Sequence, residues 1–271
     1  MPRTLVCAAL LMAVAACSPA PASPSSAPSA SVSAPASTAP SPSASPAEAP
    51  IRLAGVAKKL DAGTYVFDNA APNVTMRVPA EWYLSEAMPR HFGLHPDNVL
   101  DSESVRVWYD MRVASGARDC PEEAALGTGH RALDLIQAFT SDHRLIATTP
   151  QRTSIGGLDG SVISVGVAPD WKQDCPFMKG IPSVPLFLDD NVEGEPAFWG
   201  VSGPERLRLM ILDDGHGSNV IVMLDSTSGT TLDDLESTVR PVLDTFRFET
   251  GDLHRTTGAG RTGAGHPPCG G

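Results

Sequence analysis

Along residues 104–113, SVRVWYDMRV, apolar and polar positions alternate. Val105, Val107, Tyr109, Met111 and Val113 fall on one side; Arg106, Trp108, Asp110 and Arg112 fall on the other. A period of two predicts a strand with one face buried. NVTMRVP (73–79) and GSVISVGVA (160–168) also read as strands. LRLMILD (207–213) and NVIVMLD (219–225) flank Asp-Gly-His-Gly-Ser, a turn-forming run, and predict a hairpin. From Val220 to Leu224 the chain is apolar on both faces, which predicts a central strand covered above and below.

Two stretches carry the helical period instead. In 130–141, Leu133, Ile136 and Ala138 or Phe139 lie near one stripe. In 232–246, Leu232, Leu235, Val239, Val242, Leu243 and Phe246 do the same. Thr231, with Asp234 three residues on, predicts an N-cap with acid in the first turn. Pro241 is expected to kink or split that helix. Strands and hairpins mixed with helices predict the α+β class, a largely antiparallel sheet flanked by helices.

The first residues are not part of that pattern. In MPRTLVCAALLMAVAACSPA, Arg3 precedes an uncharged apolar run from Leu5 to Ala16, the layout of a secretory signal and too short to span a bilayer. The run ends in Val14-Ala-Ala-Cys17, which resembles the lipobox of bacterial lipoproteins. That resemblance implies a diacylglyceryl group on the Cys17 thiol and cleavage just before it; the alternative is a plain secretory signal cut near the Ala-x-Ala patch. Residues 18–50 are nearly all Ser, Ala and Pro. Such a segment has too little apolar surface to offset its ordering entropy. It predicts a tether of roughly 100 Å when fully extended, with Ser and Thr open to glycosylation. The expected organisation is a signal peptide (1–16), a lipidated Cys17 and disordered tether (17–50), one globular domain (51–249) and a disordered Gly-rich tail (250–271). The expected place is the extracytoplasmic face of the cell membrane.

Charge narrows the partners. The net charge is −11 and the pI about 5.0, which disfavours nucleic acid and anionic headgroups. The lipid must therefore hold the protein at the membrane. Cys7 leaves with the signal and Cys17 takes the lipid, so Cys120, Cys175 and Cys269 remain. Outside the membrane paired thiols oxidise, and Cys120 and Cys175 are the two in the folded region, which predicts a disulfide. In the chain-entropy account a loop of roughly 55 residues contributes about 4 kcal/mol, less any native strain. Structural zinc needs more ligands, and a nucleophilic cysteine needs a partner His and a lowered pKa. Cys269 is left over, as a free thiol or half of an intermolecular bond.

Other candidate chemistry is thin. Asp189, Asn191, Glu193 and Gly194 match four positions of a calcium loop, but Gly200 stands where the bidentate Glu belongs. His91 and His95 are four apart with Asp97 nearby, yet Gly93 and Pro96 break a helix there and predict a loop. Asp213, Asp214 and His216 belong to a tight turn. No G-x-S-x-G, H-E-x-x-H or P-loop occurs. The sequence implies no metal, cofactor or catalytic residue.

Four segments in order, VTMRVPAEW, TSIGGLDGSVISV, LRLMILDDGHGSNVIVML and LDDLESTVRPVLDTFRF, resemble the PsbP-like α/β/α sandwich family, nearest to actinobacterial lipoproteins of the LpqN/LpqT type. The resemblance covers roughly residues 64–248. It implies that Pro79 and Trp82 end an early strand, that the turn from Gly156 to Gly160 leads into a core strand, and that Leu243 to Phe246 docks the last helix. It also implies binding or assembly work without shared active-site residues. The Cys120–Cys175 pair and the long 169–200 segment depart from it.

The resulting expectation is a non-enzymatic binding or assembly module for an envelope protein or apolar ligand; the alternative is an envelope hydrolase whose residues converge only in three dimensions. The expected partner site is the segment from Trp171 to Trp199, with Trp171, Phe177, Ile181, Leu186, Phe187, Leu188 and Trp199 as contact residues. It is longer than a usual connection, and its prolines preclude a long helix. Alternatively, Ile181 to Leu188 simply caps the sheet.

Overall fold

The computed structural model describes residues 49–96, 103–189, 198–226 and 231–250. The expected signal peptide, Cys17, nearly all of the tether and the Gly-rich tail with Cys269 lie outside them. The described strands are β1 (Ile51–Arg52), β2 (Gly55–Leu60), β3 (Gly63–Phe67), β4 (Asn73–Val78), β5 (Trp82–Met88), β6 (His91–Pro96), β7 (Glu103–Tyr109) and β8 (Arg112–Val113). Helix α1 (Ala132–Ser141) follows, then β9 (Leu145–Ala147), β10 (Gln151–Ile155), β11 (Leu158–Val167), β12 (Ser183–Leu188), β13 (Phe198–Ser202), β14 (Arg206–Asp213) and β15 (Asn219–Ser226). Helix α2 (Leu232–Leu243) and β16 (Arg247–Glu249) close the domain.

A nine-stranded antiparallel sheet forms the middle layer, in the order β10-β11-β14-β15-β7-β6-β5-β2, with β9 also on β11. The side-chain alternation of its central strands sorts two cores. Val105, Val107, Met210, Leu212, Val220, Val222 and Leu224 face the four-stranded sheet β1-β3-β4-β16 and α2. Trp108, Leu207, Leu209, Ile211, Ile221 and Met223 face the three-stranded sheet β13-β12-β8 and α1. The run Val220–Leu224 is therefore central and covered on both sides, as its composition predicts. β7 is covered on both sides too, not half-buried: Arg106 and Trp108 lie beneath Trp199.

The α+β, helix-flanked sandwich is corrected by this architecture. The fold is β-rich: among the described residues sixteen strands stand against two α-helices of 10 and 12 residues, and each helix shares its layer with a small sheet. The physical reason lies in strands that carry no alternation. GVAKKL of β2 is exposed but for Leu60, HFGLHP of β6 contains Gly93 and Pro96, and SVPLFL of β12 is buried throughout. Pro185 sits in β12 at a register shift against β13, where its missing N–H is tolerated.

Both helices form where expected, with changes in detail. The buried stripe of α1 is Ala132, Leu135, Ile136 and Phe139, while Leu133 is 58% exposed. Thr231 caps α2, its hydroxyl accepting the Asp234 N–H at 3.1 Å. Pro241 does not split α2, because it lies in the last turn and the helix ends two residues later. Phe246, beyond α2, is fully buried.

The Gly156–Gly157 turn joins β10 to β11, with φ of 61° and 93°, the left-handed region favoured by glycine. Gly160 opposes Leu212 across β11–β14. A Cβ there would stand 2.7 Å from the Leu212 Cα and closer still to the Ile211 carbonyl oxygen. We expect Gly160→Ala to cost about 1–3 kcal/mol through overpacking, read as a lower urea midpoint, whereas Thr231→Ala costs about 1 kcal/mol through the lost cap.

Candidate functional site

Cys120 and Cys175 are bonded, with Cα atoms 5.6 Å apart. The bridge fastens the loop before Cys120 to the segment that follows β11. Hydrogen bonds hold the second segment in place. The Trp171 indole N–H donates to the Ser183 carbonyl at 3.0 Å, and the Cys175 N–H donates to the Ser183 hydroxyl at 2.9 Å. The Gln173 amide donates to the Arg118 carbonyl, tying the two segments a second time. Between them lies a cleft of about 240 Å³, bordered by Arg118, Cys120, Arg144, Trp171, Gln173 and Pro185.

The Arg144 guanidinium stands 5.8 Å from the Trp171 ring centroid, and the His143 ring meets that ring edge-on at 6.2 Å. Arg144 is fixed by Asp142, with Nη2 to Oδ2 at 2.6 Å and Nε to Oδ1 at 2.9 Å, and its Nη1 donates to the Gly116 carbonyl at 3.3 Å. Burial pushes the Asp142 carboxyl up, but the hydrogen bonds and charge of Arg144 outweigh it and hold the pKa below the ordinary value. The cleft thus offers an aromatic face beside a cation whose position is set before anything binds.

The expected contact segment divides in two. Leu186, Phe187 and Leu188 are wholly buried in β12 and present no surface. They cap the sheet, as the simpler reading of Ile181 to Leu188 has it. Trp171 is part-exposed and lines the cleft; Ile181 is 42% exposed. Trp199 lies away from the cleft, over Arg106, and is part-exposed. Phe177 falls in a 3-10 turn, Pro176–Met178, and its side chain lies outside the described residues. Residues 190–195 of the acidic run and Asp97 also lie outside them.

His91 and His95 sit in a strand, not a loop, and do not converge. His91 stacks on Trp108 at 4.4 Å, whereas His95 stacks on Tyr83 at 5.4 Å. Asp213 and Asp214 each accept N–H bonds from their own turn, at Gly215 and at His216 and Ser218. Among the described residues no group of three His, Cys, Asp or Glu side chains could hold a metal, and no helix is long and apolar enough to cross a membrane.

Sequence reasoning missed a buried polar strip on the α1 side of the middle sheet. Arg106 donates to Glu86 at 2.6 Å, with His91 Nε2 3.6 Å from the same carboxylate oxygen. The hydrogen bond with His91, working against burial and joined by the charges of His91 and Arg106, holds Glu86 below its ordinary range. Glu205 and Asp225 are buried side by side and share a hydrogen bond. Glu205 also accepts from the Ser202 N–H at 2.7 Å. Burial, the Glu205 charge and the shared hydrogen bond push Asp225 up from 3.8 to about 8, and burial raises Glu205 as well, so the pair keeps one proton, with the Asp225 O–H donating to the Glu205 carboxylate. Nothing in the period of LRLMILD or NVIVMLD marks an acid as buried; the only signal is an aspartate closing a run apolar on both faces. Neither acid borders the cleft.

No protein-family model and no curated protein matches the chain. Among solved structures, a protein from Bacteroides thetaiotaomicron VPI-5482, with a crystal structure at 1.50 Å, aligns at 12% identity and a TM-score of 0.29, over 65% of this chain and 45% of that one. The chain spans less than half of that protein's length, and a likeness at this level carries no argument.

Two measurements follow from the geometry. Replacing both Cys120 and Cys175 by Ser is expected to lower stability by about 2–5 kcal/mol in denaturant titration. The second concerns pH. Folded Asp225 keeps a proton that the unfolded chain releases above its ordinary pKa of 3.8. Its contribution to stability is therefore fully present below that value and is lost as pH rises through about 8. The urea midpoint should fall from pH 5 to pH 9, and Asp225→Asn should remove most of that fall.

Proposed function

We propose that the domain is a non-enzymatic binding or assembly module, carried on a lipid anchor at the extracytoplasmic face of the cell membrane, whose partner is an envelope protein. The observation that carries this reading is the disulfide-bordered cleft with Arg144 beside Trp171. A disulfide suits an oxidising compartment. It agrees with the Val-Ala-Ala-Cys sequence at Cys17 and the Ser/Ala/Pro run behind it. At about 240 Å³ the cleft is smaller than the roughly 300–1,000 Å³ of small-molecule sites. It suits one side chain of a larger partner, an aromatic or apolar group laid against the Trp171 face.

Both walls are fixed in advance, by the disulfide on one side and the Ser183 hydrogen bonds on the other. Little side-chain or loop entropy is then lost on association. Apolar Ile181 lies exposed in the same segment as Trp171. The tether sets how far from the membrane the domain can search, and the lipid keeps it there against its own negative charge.

Anchoring and capture are separable. Cys17→Ala should move the protein from the detergent-extractable membrane fraction to the soluble one; continued membrane retention refutes the anchor. A photo-crosslinking residue at Arg118, in the native membrane, should give a discrete adduct that the same residue at exposed Lys58 does not. Trp171→Ala should reduce that adduct at least tenfold. An equal yield from Arg118 and Lys58, or one indifferent to Trp171, refutes the cleft as the contact site.

A further inference from the structure

A second concavity lies on the opposite face of the middle sheet. Its volume is about 380 Å³, within the roughly 300–1,000 Å³ of small-ligand sites. Thr153 of β10, Val162 and Ser164 of β11 and Met210 of β14 form its floor, and Glu236 and Arg240 of α2 form a wall. Arg208 joins floor to wall. Val162 faces buried Met210 across β11–β14, so the apolar part of the floor is one small patch, at Val162, among hydroxyls.

The charges of the wall form an unbroken chain from Asp233 to Asp244. Arg208 donates to Asp233 at 2.8 Å and to Glu236. Arg240 donates to Glu236 and stands 3.8 Å from Asp244. Each guanidinium is already matched by carboxylates, and Glu236 is shared between two cations. An anionic ligand would have to displace Glu236, and a cationic one would have to displace an arginine. Ser164 Oγ already accepts from Arg208 Nε at 3.4 Å, and an apolar ligand would strip water from the remaining hydrogen-bonding capacity of the hydroxyls. A neutral molecule with vicinal hydroxyls does neither. Each O–H can accept from a remaining guanidinium N–H and donate to a remaining carboxylate lone pair. The ring's C–H face can rest on part-exposed Val162.

We propose that this groove binds a neutral saccharide. Thr153 and Ser164 supply the hydroxyl contacts from the floor, and Arg208 and Glu236 the bidentate contacts from the wall. The floor is presented by sheet strands, so the site is formed before the ligand arrives. This site is distinct from the Trp171 cleft and does not rest on what the cleft binds.

The test uses the full chain in detergent, ¹⁵N-labelled, titrated with cellobiose, maltose and N,N′-diacetylchitobiose. Saturable shifts of the Val162 and Ser164 amides with at least one of them are expected. Thr153→Val keeps the shape and removes a hydroxyl; it should weaken that binding at least threefold while leaving the melting temperature within a degree or two. Glucose 6-phosphate and glucosamine should bind more weakly than the neutral sugar. The proposal is overturned if none of the three disaccharides shifts these amides at tens of millimolar. It is equally overturned if Thr153→Val binds as the parent does, or if a charged analogue binds more tightly.

Discussion

The constraint on which this structure depends is that β7 and β15 are covered on both faces. A strand in that position has no solvent side on which to discharge polar groups. A polar residue there is stabilised by finding a partner within the protein, and several do. Arg106 meets Glu86 and the Trp199 ring; protonated Asp225 donates a hydrogen bond to Glu205; Asn219 bridges the Met111 and His130 carbonyls at 2.8 and 2.6 Å. These pairs tie the middle sheet to the elements that cover it. Asn219 fixes the start of α1 and Arg106 fixes β13, so the α1-side layer is held by polar pairing as well as by apolar contact.

The layers also divide the work. On the α1 side the cover is a small sheet whose strands are joined to the disulfide-bonded segments, and the Trp171 cleft forms at its border. On the α2 side the cover stops short of β10 and β11. The floor there stays open beside α2, and Arg208 and the α2 carboxylates line the gap. Both concavities are edges where a covering layer ends, which is where a three-layer protein has concave surface to offer.

Much of this was legible in the chain, and the misses have physical causes. Asp-Gly-His-Gly-Ser and Gly156–Gly157 mark their hairpins because only certain residues accept those turns. Thr231 and Asp234 mark the start of α2, and Val220–Leu224 marks the centre of the sheet. The disulfide follows from counting cysteines, and Trp171 does line a cleft. The β-rich class is not legible, because β2 is exposed but for Leu60, β6 carries a glycine and a proline, and β12 is buried on every position. A period of two needs one wet face and one dry face, and these strands lack that contrast. Arg144 lies far from Trp171 in sequence and joins it only by packing. The Glu205–Asp225 pair is unreadable for the same reason, since each acid alone looks like a strand end.

β16 pairs with β4, in the register Phe248 to Val74, so the two ends of the domain are stitched together. Closure of that sheet joins positions near opposite ends of the chain, a contact of high sequence separation that slows folding. The β4 edge stays open until the last residues of the domain have been made. A chain that stops before Phe246 has neither the buried ring that seats the end of α2 nor the strand that covers β4. Such a fragment carries an unpaired strand edge, the kind of surface that aggregates or is degraded. The last turn before Glu249 is therefore where the domain least tolerates the loss of residues.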